Sequence, residues 1–179
     1  DNIQRVYDAD FSVIVYNFLD ILSHARTETE IIRELTEDEA AFRSLTRSWF
    51  EHSDLFTILK MLSERGHTVI ITSDHGTIRV TNPIKVVGDR ETSSNLRYKT
   101  GRNLNYNMRE VYDITRPEDI QLPSSALTSS YIFAYNSDFF IYPNDANRFI
   151  RYYKNTFQHG GISMEEMIVP FIVMKPKQQ

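Results

Sequence analysis

Two short apolar, β-branched segments constrain the fold of this chain more than any other feature of its sequence. The first is 11–17 (FSVIVYN), and Asp20 follows it by one turn as a helical pattern begins. The second is 67–73 (HTVIITS), which is followed directly by the tripeptide Asp-His-Gly at 74–76. Runs of this kind are typical of buried strands, and open α/β sheets bind ligands beyond the carboxyl ends of their strands. We therefore predict an α/β fold with polar site residues at the strand exits.

The remaining segments divide into a helical part and a part made of short strands. From Asp20 to about Gly66 the apolar spacing is helical, and it is broken at 35–38, where Thr36 and Glu39 match a capping box. Between 79 and 128 periodicity weakens and Pro and Gly recur, which predicts hairpins and loops inserted beside the sheet.

The C-terminal third of the sequence again shows strand patterns, separated by one helix. Residues 130–142 predict two strands around Asn136. Asp145 is placed to cap a helix that runs to about Phe157, and 168–174 predicts the last strand.

Composition narrows the class of protein. The chain has 179 residues, of which 41% are hydrophobic and 25% charged, so one globular domain over 1–179 is expected. Cysteine is absent, which excludes disulfides and thiolate metal sites. The net charge of −4 argues against a nucleic-acid binder with a wholly basic surface.

No apolar run is long enough to span a bilayer, so we expect a cytoplasmic protein without membrane contact. Because it opens at Asp1 without a methionine, we expect the chain to be a piece of a longer polypeptide.

Five residues are candidate metal ligands. Asp20 and His24 are four apart, so on a helix they lie on one face; the same pair also fits an exposed, weak ion pair. Asp74 and His75 lie at a strand exit, although an Asp that caps the next turn beside an exposed His would look the same. His159 precedes two glycines, which permit close approach of backbone to a ligand but also mark helix ends. Nitrogen and oxygen ligands of this kind suit zinc, and manganese is an alternative.

The order of these motifs resembles the alkaline phosphatase superfamily, and within it the PglZ domain. The most specific piece is HGGISMEEMIVP at 159–170, and NFLDILSHAR, ITSDHGT and RYKTGRN add to it. Together they resemble the C-terminal part of a PorX-type response regulator, in which a receiver domain precedes the PglZ domain in regulation of type IX secretion. The resemblance covers nearly the whole chain.

This resemblance implies a two-metal site in an alkaline-phosphatase-like central sheet flanked by helices. Asp20, His24 and His159 would bind one zinc ion, and Asp74 and His75 the other. The family also uses an Asp and a Thr or Ser nucleophile that come earlier in the sequence. No such strand and hydroxyl-bearing turn precede 11–17, so we expect no catalytic nucleophile in this chain and no activity of the chain alone.

The segment from Arg79 to Arg109 reverses the overall sign of charge. It holds seven Lys or Arg residues against two acids, which suits a polyanionic substrate. Within RYKTGRN, we expect Lys99 and Arg102 to contact phosphate. A solvated basic hairpin is the alternative interpretation.

Two hypotheses follow for function. The first is a metal-dependent phosphodiesterase or phosphatase domain acting on an oligonucleotide or nucleotide phosphodiester. The second is a non-catalytic, zinc-binding effector domain that controls secretion through protein contacts or homodimerisation, with the receiver domain in the same polypeptide. Glu166 enters neither hypothesis, because Ser163 and Glu166 match a capping box.

Overall fold

A computed structural model describes residues 2–36, 38–89, 91–124 and 129–176. The chain divides into two compact units, the first made of Asp1–Thr72 with Pro170–Gln179 and the second of Ser73–Val169. The mixed α/β class predicted from the sequence is confirmed.

The elements follow one another as a helical half and a strand-rich half. The helices are α1 Asn2–Asp8, α2 Phe18–Glu28, α3 Glu30–Leu35, α4 Glu39–Glu51, α5 Asp54–Glu64, α6 Ala146–Tyr153 and α7 Met164–Met167. The strands are β1 Val69–Thr72, β2 Ile78–Arg79, β3 Asn82–Lys85, β4 Tyr98–Gly101, β5 Val111–Ile114, β6 Ser130–Ala134, β7 Asp138–Ile141, β8 Phe157–Gln158 and β9 Phe171–Met174. A 3-10 turn covers Pro117–Ile120.

Helix ends in the first unit are set by local side-chain chemistry. The α4 helix is capped by Asp38, whose carboxylate accepts a hydrogen bond from the Ala41 N–H at 2.7 Å. The expected capping role of Thr36 is therefore wrong, since its hydroxyl donates to the Ile32 carbonyl at the end of α3. Gly66 ends α5 as predicted, with a φ of +83° that favours glycine.

The predicted strand at 11–17 is wrong. Residues 12–17 have no regular structure, and the side chains of Phe11, Val13 and Val15 are exposed. A strand forms only where a neighbouring strand pairs with its backbone, and no described strand pairs with this segment. Apolar composition alone therefore does not produce a strand here.

Two predicted strands of the first unit are confirmed, in shorter form. The sequence predicted strands at 67–73 and 168–174, and β1 pairs antiparallel with β9, with Val69 opposite Met174 and Thr72 opposite Phe171. The four side chains of β9 are exposed. Among the described residues this is a two-stranded sheet.

The second unit contains the remaining sheets that the structure describes. In the largest, β6 lies between β4 and β5 and pairs antiparallel with both. The β7 strand pairs in parallel with β3, and β2 pairs antiparallel with β8. The two strands predicted around Asn136 are thus present, but each pairs with other strands and not with its neighbour in sequence. The short strands predicted within 79–128 are also present.

The core of the second unit lies against β6 and β7. One cluster contains Val86, Val111 and Ile132, and another contains Val80, Phe139 and Ile141. From α6, the partly buried Phe149 and Ile150 pack against the second cluster.

The two ends of α6 differ from the sequence prediction. Asp145 precedes the helix but makes no side-chain capping bond, and α6 ends at Tyr153 and not near Phe157.

Across the parts of the chain that are described, no helix combines the length and apolar character needed to cross a bilayer.

Candidate metal centre

His75 and His159, two of the predicted ligands, lie face to face in the second unit. Their ring centroids are 3.9 Å apart and their planes differ by 7°. A ring nitrogen of each lies within 4.8 Å of one on the other, and both side chains are half-buried. Loops that are far apart in the sequence are therefore brought together at this point.

The His75 loop also presents the carboxylate of Asp74. Asp74 Oδ1 accepts a hydrogen bond from the His75 N–H at 3.1 Å and lies 3.7 Å from His75 Nε2. The Asp74 side chain is 89% exposed, whereas that of His75 is 31% exposed. His75 Nδ1 lies 3.0 Å from the Gly76 carbonyl oxygen. An open carboxylate and a half-buried imidazole thus share one short loop.

The His159 loop depends on glycine. Gly160 has a φ of +97°, and a Cβ there would lie 2.8 Å from Asn95 Nδ2. The same Asn95 amide donates to the His159 carbonyl at 3.3 Å. A side chain at Gly160 would displace this contact, so the glycine is needed for the position of His159.

The first unit holds the other two predicted ligands. Asp20 lies in the first turn of α2 with an exposed side chain. His24 lies one turn further along the same helix, and its side chain is outside the described part of the structure. The predicted helical spacing of the pair is confirmed, while its role as a ligand pair stays a prediction.

A buried ion pair that the sequence did not predict lies next to the His159 loop. The guanidinium of Arg97 donates two hydrogen bonds to the Glu166 carboxylate, at 2.9 and 2.8 Å, and both side chains are almost fully buried. Burial by itself raises the pKa of Glu166, but the hydrogen bonds from Arg97 and Ser163 outweigh it and lower that pKa below its ordinary value. The predicted Ser163–Glu166 capping box is present as well.

No local sequence signal marks Arg97, because its partner is 69 residues away. The excess of basic residues that contains Arg97 suggested a surface feature, whereas this arginine lies inside the fold.

Lys99, one of the two residues predicted to contact phosphate, lies in strand β4, and its side chain is only 1% exposed. Its Nζ donates to the Ser93 carbonyl at 2.8 Å and lies 4.8 Å from the centre of the Tyr142 ring. Burial lowers the pKa of Lys99 to about 8. Contact between this ammonium and a substrate phosphate stays a prediction, one that its burial disfavours.

Arg102 is the exposed member of the predicted phosphate-binding pair. Its Nη2 lies 3.8 Å from a Glu91 carboxylate oxygen. Half of the Arg102 side chain is accessible, so it remains available to an anion. With Arg97 and Lys99 inside the fold, the basic segment offers less positive surface than its sequence predicted.

The donor set on these loops fits a metal. Two imidazoles and a neighbouring carboxylate are ligands that zinc and manganese accept. A ring nitrogen of His75 and one of His159 lie within 4.8 Å of each other, so both could be ligands at one metal centre.

A protein-family model described as the BREX system PglZ alkaline phosphatase-like domain matches residues 2–174. No curated protein shows a significant match to the chain. The match includes both histidine loops, the Arg97–Glu166 pair and helix α2. Because it covers nearly the whole sequence, the chain belongs to the PglZ family of alkaline phosphatase-like domains.

Proposed function

We propose that this PglZ domain is the metal-binding part of a phosphoric ester hydrolase that acts on phosphodiesters, with an oligonucleotide or nucleotide as substrate. The observation that supports the proposal most is the stacked pair of His75 and His159, with the open carboxylate of Asp74 beside it. Family membership supports the reaction class, since alkaline phosphatase-like domains are associated with phosphoester hydrolysis.

The proposed ligands follow the family pattern. Asp20, His24 and His159 are assigned to one ion, and Asp74 and His75 to a second. When bound, two such ions supply positive charge to the attacking and leaving oxygens during displacement at phosphorus. The chain itself orients the imidazoles through the hydrogen bonds of their loops.

The positive charge for substrate binding is assigned to Arg102. Its guanidinium is half exposed and paired only loosely with Glu91, so it can exchange that carboxylate for a phosphate oxygen. Lys99 is given a structural role and no part in substrate binding, because its side chain is buried and donates to the Ser93 carbonyl.

A phosphodiester assay tests the proposal in the complete polypeptide that carries this chain. We expect zinc- or manganese-dependent release of nitrophenol from bis(p-nitrophenyl) phosphate. Turnover should be lost in Asp74→Ala and His159→Ala, because each removes a ligand, and retained in His52→Ala, because His52 is an exposed residue at the end of α4. Equal turnover in all four proteins would contradict the proposed site.

A second candidate function is a non-catalytic effector domain that works through protein contacts. It is favoured by the exposed apolar side chains of β9, of which Phe171 is 70% and Ile172 50% exposed. In this version the domain follows a receiver domain in a PorX-type response regulator, zinc has a structural role, and the partner is another protein or a second copy.

The two candidates differ in one measurable property. The enzyme requires metal-dependent turnover that is lost with the ligands. The effector binds zinc without turnover, and substitution of Phe171 by Ser would weaken its association in sedimentation or light scattering while leaving the zinc content unchanged.

A further inference from the structure

The carboxylate of Glu166 is enclosed by the loop that carries His159. Glu166 Oε1 accepts from the Gly161 N–H at 2.9 Å. Glu166 Oε2 accepts from the N–H and the hydroxyl of Ser163, at 3.2 and 2.8 Å. A Cβ on Gly161 would lie 2.6 Å from this carboxylate. The path of the chain just after His159 is therefore fixed by one buried anion.

The main chain of α7 is in contact with the other histidine loop. The Gly76 N–H, one residue after His75, donates to the Glu166 carbonyl at 2.8 Å. A Cβ on Gly76 would lie 2.0 Å from the Glu165 carbonyl oxygen, so the two backbones touch. Glu166 thus bonds to the His75 loop through its main chain and to the His159 loop through its side chain.

Arg97 connects Glu166 to the sheets of the second unit. Besides its two bonds to Glu166, the guanidinium donates through Nη1 to the Asp138 carbonyl at the start of β7. The Arg97 carbonyl accepts from the Ala134 N–H of β6 at 2.9 Å. The Arg97 N–H donates at 2.7 Å to Asn95, whose amide holds the His159 carbonyl. Both ends of Arg97 are therefore fixed.

A capping box alone does not require this arrangement. The reciprocal bonds between Ser163 and Glu166 complete the helix cap without any guanidinium. A buried ion pair adds little net stability compared with apolar side chains of similar size, because both charges lose their hydration. A contribution to the geometry of the neighbouring loops accounts for the pair better than stability does.

We propose that Arg97 and Glu166 are positioning residues that hold the His75 and His159 loops at the spacing in which the two imidazoles stack. The inference rests on the proposed function, because the spacing has a consequence for chemistry only if the rings bind metal. Neither residue is assigned a contact with metal or substrate.

The test uses the full chain, labelled with ¹³C and ¹⁵N in histidine, and two readouts. In metal-free protein, NMR ring-current shifts report whether the rings of His75 and His159 are stacked. Calorimetric titration with zinc alone reports affinity. The test variant is Arg97→Met combined with Glu166→Leu, which removes both charges and the loop hydrogen bonds while keeping apolar volume. Arg47→Met is the control, because it removes an exposed ion pair, Arg47–Glu51, from α4.

We expect the double variant to unfold cooperatively and to lose the ring-current shifts of both histidines, with a zinc affinity about 10- to 100-fold weaker, the range found when residues that orient metal ligands are removed. The control should match the wild type in both readouts. Unchanged ring shifts together with a zinc affinity within about twofold of the wild type would overturn the proposal.

Two other results, a double variant that does not fold and a wild-type protein that binds no zinc, still leave the proposal testable. If the double variant does not fold, Glu166→Gln replaces it, because glutamine keeps the size but directs an N–H₂ group at the donors around the carboxylate. Altered ring shifts in that folded variant would support the proposal, and unaltered shifts would overturn it. If wild-type protein binds no zinc, the proposed function fails, while the metal-free ring shifts still decide the positioning role.

Discussion

The imidazoles of His75 and His159 stack in parallel at a centroid distance of 3.9 Å. Each ring is carried by a loop that contains glycine, and each loop is bonded to Glu166. The stacking therefore reports on the geometry of both loops at once, and substitutions around Glu166 should act on it.

Replacement of Gly76 tests the close backbone contact beneath His75. The Cβ of Gly76→Ala would lie 2.0 Å from the Glu165 carbonyl oxygen, so the loop must move away from α7. We expect a loss of about 3 kcal/mol in unfolding free energy, the upper end of the usual cost of overpacking. Urea denaturation followed by circular dichroism measures it.

Gly66→Ala is the matched control for this substitution. Gly66 has a positive φ, but beyond its immediate chain neighbours no atom of the described residues lies within 4 Å of the place that an added Cβ would take, so only backbone strain of about 1 kcal/mol is expected. Zinc binding and ring stacking should stay intact in this control and be lost in Gly76→Ala. Equal effects of the two substitutions would show that the contact with Glu165 is unimportant.

Breaking the buried pair from one side should be costly. Glu166→Leu leaves the Arg97 guanidinium buried without its carboxylate, and we expect a destabilisation of about 3 to 5 kcal/mol. Adding Arg97→Met should recover part of that loss, because the unpaired charge is removed. A double-mutant cycle measures the coupling, and strictly additive effects would refute an energetic link between the two side chains.

The burial of Lys99 predicts a dependence of stability on alkaline pH. Its pKa falls from the ordinary 10.5 to about 8 in the folded chain, so between these values the unfolded chain binds more protons. Stability should therefore rise as the pH increases from about 8 to 10, by an amount that reaches about 3 kcal/mol for the full shift. Burial raises the pKa of Tyr106, Tyr142 and Tyr153, which acts in the opposite sense and only above about pH 10.

Lys99→Met isolates this contribution. The variant keeps an unbranched apolar chain against Tyr142, but it has no proton to release, so its stability should be flat where the wild type rises. Denaturation midpoints at pH 7, 8, 9 and 10 give the comparison. Parallel curves for the two proteins would show that Lys99 titrates normally.

The parts of the fold that sequence predicted are those set by local chemistry. Gly66 ends α5 through its own backbone preference, and Ser163 and Glu166 form their capping box within one turn. The strand before Asp74 was also predicted, because 67–73 is an apolar, β-branched run. Segment 11–17 has a similar apolar, β-branched character but forms no strand, since strand formation depends on a neighbouring strand that composition does not specify.

The residues of the candidate site could be predicted from the sequence, but the buried residues that hold its loops in place could not. Asp74, His75 and His159 were identified from short motifs, and the structure adds that the two histidines stack. Arg97 and Lys99 lay in a segment whose charge suggested a surface, and only the tertiary fold shows that both are buried. Long-range pairing such as Arg97 with Glu166 leaves no periodic signal in a single sequence.

Metal content tests the central claim most directly. Wild type and the His52→Ala, His75→Ala and His159→Ala variants would be equilibrated with zinc, passed through a desalting column and analysed for zinc per chain. We expect bound zinc in the wild type and His52→Ala, and less zinc per chain in His75→Ala and in His159→Ala, because each of these two variants removes a ligand of one proposed ion; the helical circular dichroism should be unchanged. No zinc in the wild type, or equal zinc in all four proteins, would contradict a metal centre at these two histidines.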